Sequence, residues 1–340
     1  MLRLNVKATG RYYKLLLLAA FVALFTFFGP GNFDNQVTTA QADANDQPVY
    51  NHYLFVYFKS LKYKPNDQQI HFAVSKDGLH YQALNHDQPT LPIQNHQVRD
   101  PFILRAKDGS FHILATSWDD SRGIGTAKRS ILSMSSSDLT GWGYDYSTIA
   151  SGDAGCTWAP EAIWDPIQQN YLVYWAESNS EDNYKDLSIW ASRTSDFKNF
   201  SQAVPYIAPT GQSRIDATVF QNNDHFVRFV KNENSKHVYE DRVNALTDPQ
   251  GTPIYSELLS NLKDVEGPET YKLYGQNKWV LLLDHYNDNG YEPYVSDNID
   301  SGVFNKLDPK DYSIPDGARH GSVLPITEDE YNRLVQRWPF

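Results

Sequence analysis

Two markers recur along this sequence, and their spacing limits the folds open to it more than any other feature. The first is a pair of apolar runs joined by a polar turn: Phe102 to Thr116, Ala162 to Trp175, Thr218 to Val230 and Thr270 to Leu283. The second is a run ending in Ser-x-Asp, or a near variant, with an aromatic shortly after. It occurs at Ser75-Lys76-Asp77 with Tyr81, Ser136-Ser137-Asp138 with Trp142, Thr194-Ser195-Asp196 with Phe200, and Val295-Ser296-Asp297 with Phe304. The first three aspartates stand about 60 residues apart and the last step is nearly double, which puts a degraded copy near Tyr239-Glu240-Asp241. Five units of about four short strands each predict an all-β chain folded as a five-bladed β-propeller. Helical periodicity is confined to Glu328 to Trp338, read as a C-terminal cap. Without alternating helix and strand patterns an α/β fold is excluded.

The two ends complete the count. Tyr53 to Phe58 is a strand with no upstream partner, and Gly321 to Ile326 lacks a downstream one. A ring closed by N- and C-terminal strands in one blade satisfies both and covers their edges. No Pro/Gly/Ser-rich linker interrupts the chain, so residues 48–340 are read as one domain. Ahead of it, Arg3, Lys7, Arg11 and Lys14 precede the apolar stretch Leu15 to Phe28, and Ala40-Gln41-Ala42 follows. An apolar core of about 14 residues fits a signal peptide and is short of the ~20 needed to span a membrane. Residues 1–42 are therefore expected to direct export to a secreted or cell-surface location, with an uncleaved anchor as the alternative. The one cysteine, Cys156, cannot form an intramolecular disulfide. Cysteine-poor exported chains of this kind point to a Gram-positive origin.

A formal net charge of −11 excludes nucleic acid and anionic lipid as natural partners. In a propeller the first strand of each blade lines the channel, so acids at the leading ends of those strands converge. Three blade starts carry one: Arg99-Asp100-Pro101, Ile215-Asp216-Ala217 and Val265-Glu266-Gly267-Pro268. Two carboxyl groups flanking a bond, one protonated and one ionised, are what glycoside hydrolysis needs. A third acid nearby raises the donor's pKa by like-charge repulsion. Asp100, Asp216 and Glu266 are thus the candidate catalytic residues. Arg99, Trp118 and Trp158, beside expected loops, are candidate substrate contacts, with Glu161 at the rim.

The order of an Asp-Pro blade, a Trp-Ala-Pro blade, an Ile-Asp blade and a Glu-Gly-Pro blade resembles glycoside hydrolase family 43, over nearly the whole of residues 48–340. That family contains arabinofuranosidases, β-xylosidases and arabinanases on five-bladed propellers. The resemblance implies a monomeric inverting glycosidase acting on arabinose- or xylose-containing oligo- or polysaccharides. Asp100 would be the general base, Asp216 the orienting and pKa-tuning acid, and Glu266 the general acid. It also implies that Arg319-His320-Gly321-Ser322 places His320 on the propeller axis, where the family often binds a structural Ca2+. His320 is then a substrate-contact candidate and a possible metal ligand, although no cofactor is required for the chemistry. Inversion requires the two carboxyl groups to stand roughly 6.5–9.5 Å apart, leaving room for a water. Two other readings share the architecture: a fructan-type propeller glycosidase, and a propeller that binds carbohydrate without turnover.

Overall fold

The computed structural model describes residues 48–60, 68–118, 129–207, 211–288 and 290–340. The chain divides into two units, Met1–Asp46 and Gln47–Phe340, and the described residues all lie in the second. The signal segment read at residues 1–42 falls outside them. Five four-stranded antiparallel sheets make up the domain, as the repeat count predicts. Blade I holds β1 (His52–Lys59), β2 (Ile70–Ser75) and β3 (Tyr81–Ala83). Blade II holds β4 (Gln97–Arg105), β5 (Phe111–Trp118), β6 (Ser130–Ser136) and β7 (Gly143–Thr148). Blade III follows with β8 (Trp158–Asp165), β9 (Asn170–Glu177), β10 (Ser188–Thr194) and β11 (Val204–Pro205). Blade IV has β12 (Arg214–Asn222), β13 (His225–Asn232), β14 (His237–Val243) and β15 (Thr252–Ile254). Blade V has β16 (Glu266–Lys272), β17 (Trp279–His285), β18 (Gly290–Ser296) and β19 (Asn305–Lys306). The last strand, β20 (Ala318–Ile326), returns to pair with β1 as the inner strand of blade I. The N- and C-terminal strands of the domain therefore share a blade, and the ring has no open edge at its seam.

The second strand of each blade, β1, β5, β9, β13 and β17, buries both faces, which explains why these runs are continuously apolar rather than alternating. In β1, Leu54 and Val56 pack toward blade II while Phe55 and Tyr57 pack toward blade V. Buried side chains form five clusters, one at each blade-to-blade contact. The ring is therefore closed by apolar burial as well as by the β20–β1 ladder. The expected C-terminal cap is present as α2 (Glu328–Arg337), started by a Thr327/Glu330 capping box. Its Leu334 and the following Trp338 enter the cluster between blades I and II, and burying side chains of this size contributes about 1.5–3 kcal/mol each. Arg105 grips Glu330 through two bonds of 2.6 and 2.8 Å, fixing the helix to β4. A short helix, α1 (Glu257–Asn261), has no periodicity long enough to be read from sequence.

The Ser-x-Asp marker is a turn device. Asp77 accepts from the backbone of Leu79 and His80, both at 2.8 Å, and Asp138 and Asp196 do the same in blades II and III. Two assignments of the repeat are corrected. In blade V the turn acceptor is Asn298, which takes the Asp300 N–H, not the neighbouring Asp297. In blade IV, Tyr239-Glu240-Asp241 lies inside β14; the degraded marker is the turn after it, where Asp248 accepts from Ala245.

Candidate active site

All five inner strands break register at the same height. The irregularities fall between Arg99 and Phe102, Trp158 and Glu161, Ile215 and Ala217, Glu266 and Glu269, and at His320 opposite Tyr57/Phe58. These are β-bulges, which re-aim a side chain out of the ordinary alternation. At four of them the extra residue is left-handed: Asp100 (φ 50°), Ala159 (φ 46°), Asp216 (φ 49°) and Gly267 (φ 52°). A non-glycine residue held there carries strain of order 1–3 kcal/mol, and such strain concentrates at functional sites. Gly267 answers to close packing as well, since a Cβ would stand 2.6 Å from His320 Cγ.

The bulges turn the three acids into one opening. Asp100, Asp216 and Glu266 line a single cavity of about 380 Å3, with Arg99, Trp118 and Trp158 on its wall. Trp118 and Trp158 are 5.8 Å apart between ring centroids, and the Arg99 guanidinium lies 4.3 Å from the Trp118 ring. These six residues are thus placed together as expected from sequence. A larger cleft of about 770 Å3 between blades II and III contains none of the acids and is lined by turns at the opposite strand ends, such as Lys107 and Gln169.

Between the two aspartates stands His320, with Nδ1 3.3 Å from Asp100 Oδ1 and 3.9 Å from Asp216 Oδ2. Burial works against its charge, but Asp216 and Asp100 together push its pKa up to about 10, so the ring is an imidazolium near neutral pH. Asp100 also accepts from Thr116 Oγ1 at 2.7 Å, and Thr116 in turn accepts from the Ala159 N–H at 2.8 Å. Burial alone would raise Asp100; bonds from His320 and Thr116, with the charge of Arg99, hold it below the usual carboxylate range. Asp216 takes the Gly267 N–H at 3.0 Å, and burial and Asp100 raise it against the pull of His320. Glu266 is raised by burial and then by Asp216, while Lys231 at 2.8 Å and Arg319 at 3.7 Å oppose the shift. Asp100 is therefore biased toward carboxylate and Glu266 toward carboxylic acid.

Two expectations change. Glu161 is not at the rim: it is 4% exposed, below the bulge layer, and accepts from the Tyr174 hydroxyl at 2.8 Å. Burial pushes it up to about 8. The reason is register, because the bulge at Ala159 makes Ala159 the counterpart of Asp100 and drops Glu161 two residues deeper. Glu269, two residues beyond Gly267, shares that layer and accepts from the Val323 N–H at 2.8 Å. His320 likewise is buried behind the acids rather than on the cavity wall. His320 Nδ1 faces Asp100 and Asp216, and among the described residues no group of three His, Cys, Asp or Glu stands in an arrangement that could hold a metal by itself. The carboxylates are satisfied by protein donors, and the imidazolium supplies the positive charge on the axis.

Several cavity residues escaped the sequence reading: Thr116, Glu233, Tyr286 and Phe58. Thr116 sits mid-strand in β5 with no flanking signal. Arg319 was visible beside His320; it bonds Asp284 at 2.8 Å and faces Glu266.

The sequence profile of a family described as "Probable glycosyl hydrolase domain" matches residues 48–332. An α-L-arabinofuranosidase of Bifidobacterium longum subsp. longum is 29% identical over 59% of this chain, which spans 22% of that protein's own length. Among solved structures, an α-L-arabinanase of Penicillium chrysogenum complexed with arabinobiose superposes with a TM-score of 0.55 at 14% identity, covering 84% of each chain. A thermostable family-43 glycoside hydrolase gives 0.52 at 18% identity, over 67% of this chain and 80% of its own. At these identities the two structures establish the propeller fold. The profile match covers most of the chain, which therefore belongs to this family of probable glycosyl hydrolases related to glycoside hydrolase family 43.

Proposed function

We propose that the domain hydrolyses arabinofuranosyl linkages in oligo- or polysaccharides by single-step inversion. The observation that carries this is a pair of opposed biases in one cavity, with Asp100, against burial, lowered by His320 and Thr116 and Glu266 raised by burial and Asp216. Asp100 deprotonates a water on one face of the sugar while Glu266 protonates the departing oxygen. Asp216 raises Glu266 through its charge and orients the bulge beneath it through the Gly267 N–H. Trp118 and Trp158 offer ring faces to the sugar, and Arg99 stacks on Trp118 beside the base. The choice of arabinose over xylose rests on the arabinofuranosidase relative and the arabinanase fold neighbour. Export through residues 1–42 belongs to the same proposal, and N-terminal sequencing of protein recovered outside the cell tests it.

The experiment is a panel of aryl α-L-arabinofuranosides, β-xylosides and fructosides, with arabinan as polymer, followed by proton NMR of fresh product. Arabinoside turnover with inverted anomer is expected, and on arabinan, whose leaving group needs the proton, Asp100→Asn and Glu266→Gln should each lower kcat/KM by at least about a hundredfold. Retention of configuration, or full activity in either variant, would overturn the scheme. Binding of glycans without turnover would identify a carbohydrate-binding propeller instead.

A further inference from the structure

Lys231 is an unexpected residue in its setting. It ends the apolar run Phe226-Val227-Arg228-Phe229-Val230 in β13 and is only 1% exposed. A buried ammonium persists only when paired, and this one has two partners from different parts of the ring. Its Nζ is 2.8 Å from Glu266 Oε2, across the blade IV–V contact, and 2.8 Å from Glu233 Oε2, just past the end of its own strand. The Tyr286 ring covers it from a third side, with its centroid 4.6 Å from Nζ, and the Tyr286 hydroxyl is tied to Asp264. Glu233 is half-buried, lines the catalytic cavity and also pairs with Lys236. One partner of Lys231 is thus the proposed acid, and the other is a cavity-wall carboxylate that the proposed chemistry does not use.

We infer that Lys231 is a positioning residue for Glu266, and that Glu233 governs how much of the lysine's charge reaches that acid. Lys231 fixes one carboxyl oxygen of Glu266 and leaves the other to face Arg319 and the cavity. Its charge is divided between two carboxyl groups. The remaining charged groups around Glu266 are Asp216 on β12, Asp284 on β17 and Arg319 with His320 on β20. None of them is shared with Glu233. Glu233 therefore acts on the acid in two ways with the same sign, by sharing the lysine's charge and by like-charge repulsion across the same ammonium, and a sugar hydroxyl contacting Glu233 would shift the acid by weakening both. The inference rests on the reading of Glu266 as general acid.

The test compares Lys231→Met with Glu233→Gln, reading kcat/KM against pH on two aryl arabinosides, one with a poor and one with a good leaving group. Removing the lysine deprives Glu266 of its nearest cation, so the alkaline limb should move up by about one pH unit. Removing the Glu233 charge leaves the lysine undivided and should move that limb down. Loss of kcat in Lys231→Met should exceed tenfold on the poor leaving group and largely vanish on the good one, because only the former needs the proton. Equal loss on both substrates, or limbs moving together or not at all while Glu266→Gln still abolishes turnover, would overturn the inference. If Lys231→Met does not fold, Glu233→Gln still decides the matter through the direction of its shift. Full activity in Glu266→Gln would instead refute the parent reading.

Discussion

Replacing Thr116 by valine separates the hydrogen bonds at the base from the shape of the site. The two side chains have nearly the same volume, and Thr116 is 2% exposed, so packing is conserved while one hydroxyl disappears. That hydroxyl donates to Asp100 and accepts from the Ala159 N–H, linking blades II and III. Leaving a buried N–H without a partner costs about 1–3 kcal/mol, and a hydrogen bond to a charged group contributes about 1.5–3 kcal/mol. Water entering from the cavity recovers part of the second loss, so urea unfolding at pH 7 should show a net destabilisation of about 2–4 kcal/mol. The bond favours the ionised form of Asp100, so its loss raises that pKa by about one unit. The sign follows directly: Asp100 is depressed in the folded state, so its contribution to stability is present above the unfolded carboxylate pKa and lost below it. Activity that depends on ionised Asp100 should therefore fail earlier on acidification, moving the acid limb of kcat/KM upward. Thr116→Ser keeps the hydroxyl and should stay near the parent. A valine variant with an unmoved acid limb, or a serine variant as impaired as valine, would refute the reasoning.

Three further outcomes can be measured. Glu240 is buried with neither carboxyl oxygen hydrogen-bonded, and burial followed by the charges of Asp300 and Asp241 pushes it up to about 9. Its proton is held more tightly folded than unfolded, so stability is lost as pH rises from about 4.5 toward 9, by at most about 1.4 kcal/mol per unit. Glu240→Gln should flatten that decline in denaturant titrations across pH 5–8, and an unchanged slope would count against it. A Cβ at Gly321 would stand 2.1 Å from the Val56 carbonyl oxygen in the closing ladder. Gly321→Ala should cost about 2–3 kcal/mol by urea unfolding, where a change below about 0.5 would show that β1 can yield. Glu161 is pushed up to about 8, so at pH 6 it is already neutral, and Glu161→Gln should keep kcat/KM within about threefold. A hundredfold loss at that pH would put Glu161 back into the chemistry.

The architecture was legible because the propeller repeats its physical demands. Each blade needs apolar runs on both faces and a tight turn after its third strand, and Ser75-Lys76-Asp77 or Thr194-Ser195-Asp196 states the turn outright. The acids Asp100, Asp216 and Glu266 could be read for the same reason, since each stands at the start of an inner strand beside Pro, Ala or Gly. What could not be read is depth within the channel. A bulge adds one residue without any mark in composition, so Glu161 reads as a rim residue although the counterpart of Asp100 is Ala159 and Glu161 lies deeper. In the turn after β18 the acceptor is an asparagine, Asn298, which the adjacent Asp297 masks in the sequence. Contacts between blades were also hidden, because nothing near Thr116 or Lys231 in sequence names a partner 43 or 35 residues away.

The strand that seals the ring is also the one that brings His320 and Arg319 to the hub. Without that strand, Asp100 and Asp216 would lack the imidazolium between them, and Glu266 would keep Lys231 but lose Arg319. One strand thus supplies both the closing ladder and two of the cations at the hub. Closure of the ring and charge balance at its hub therefore depend on the same nine residues.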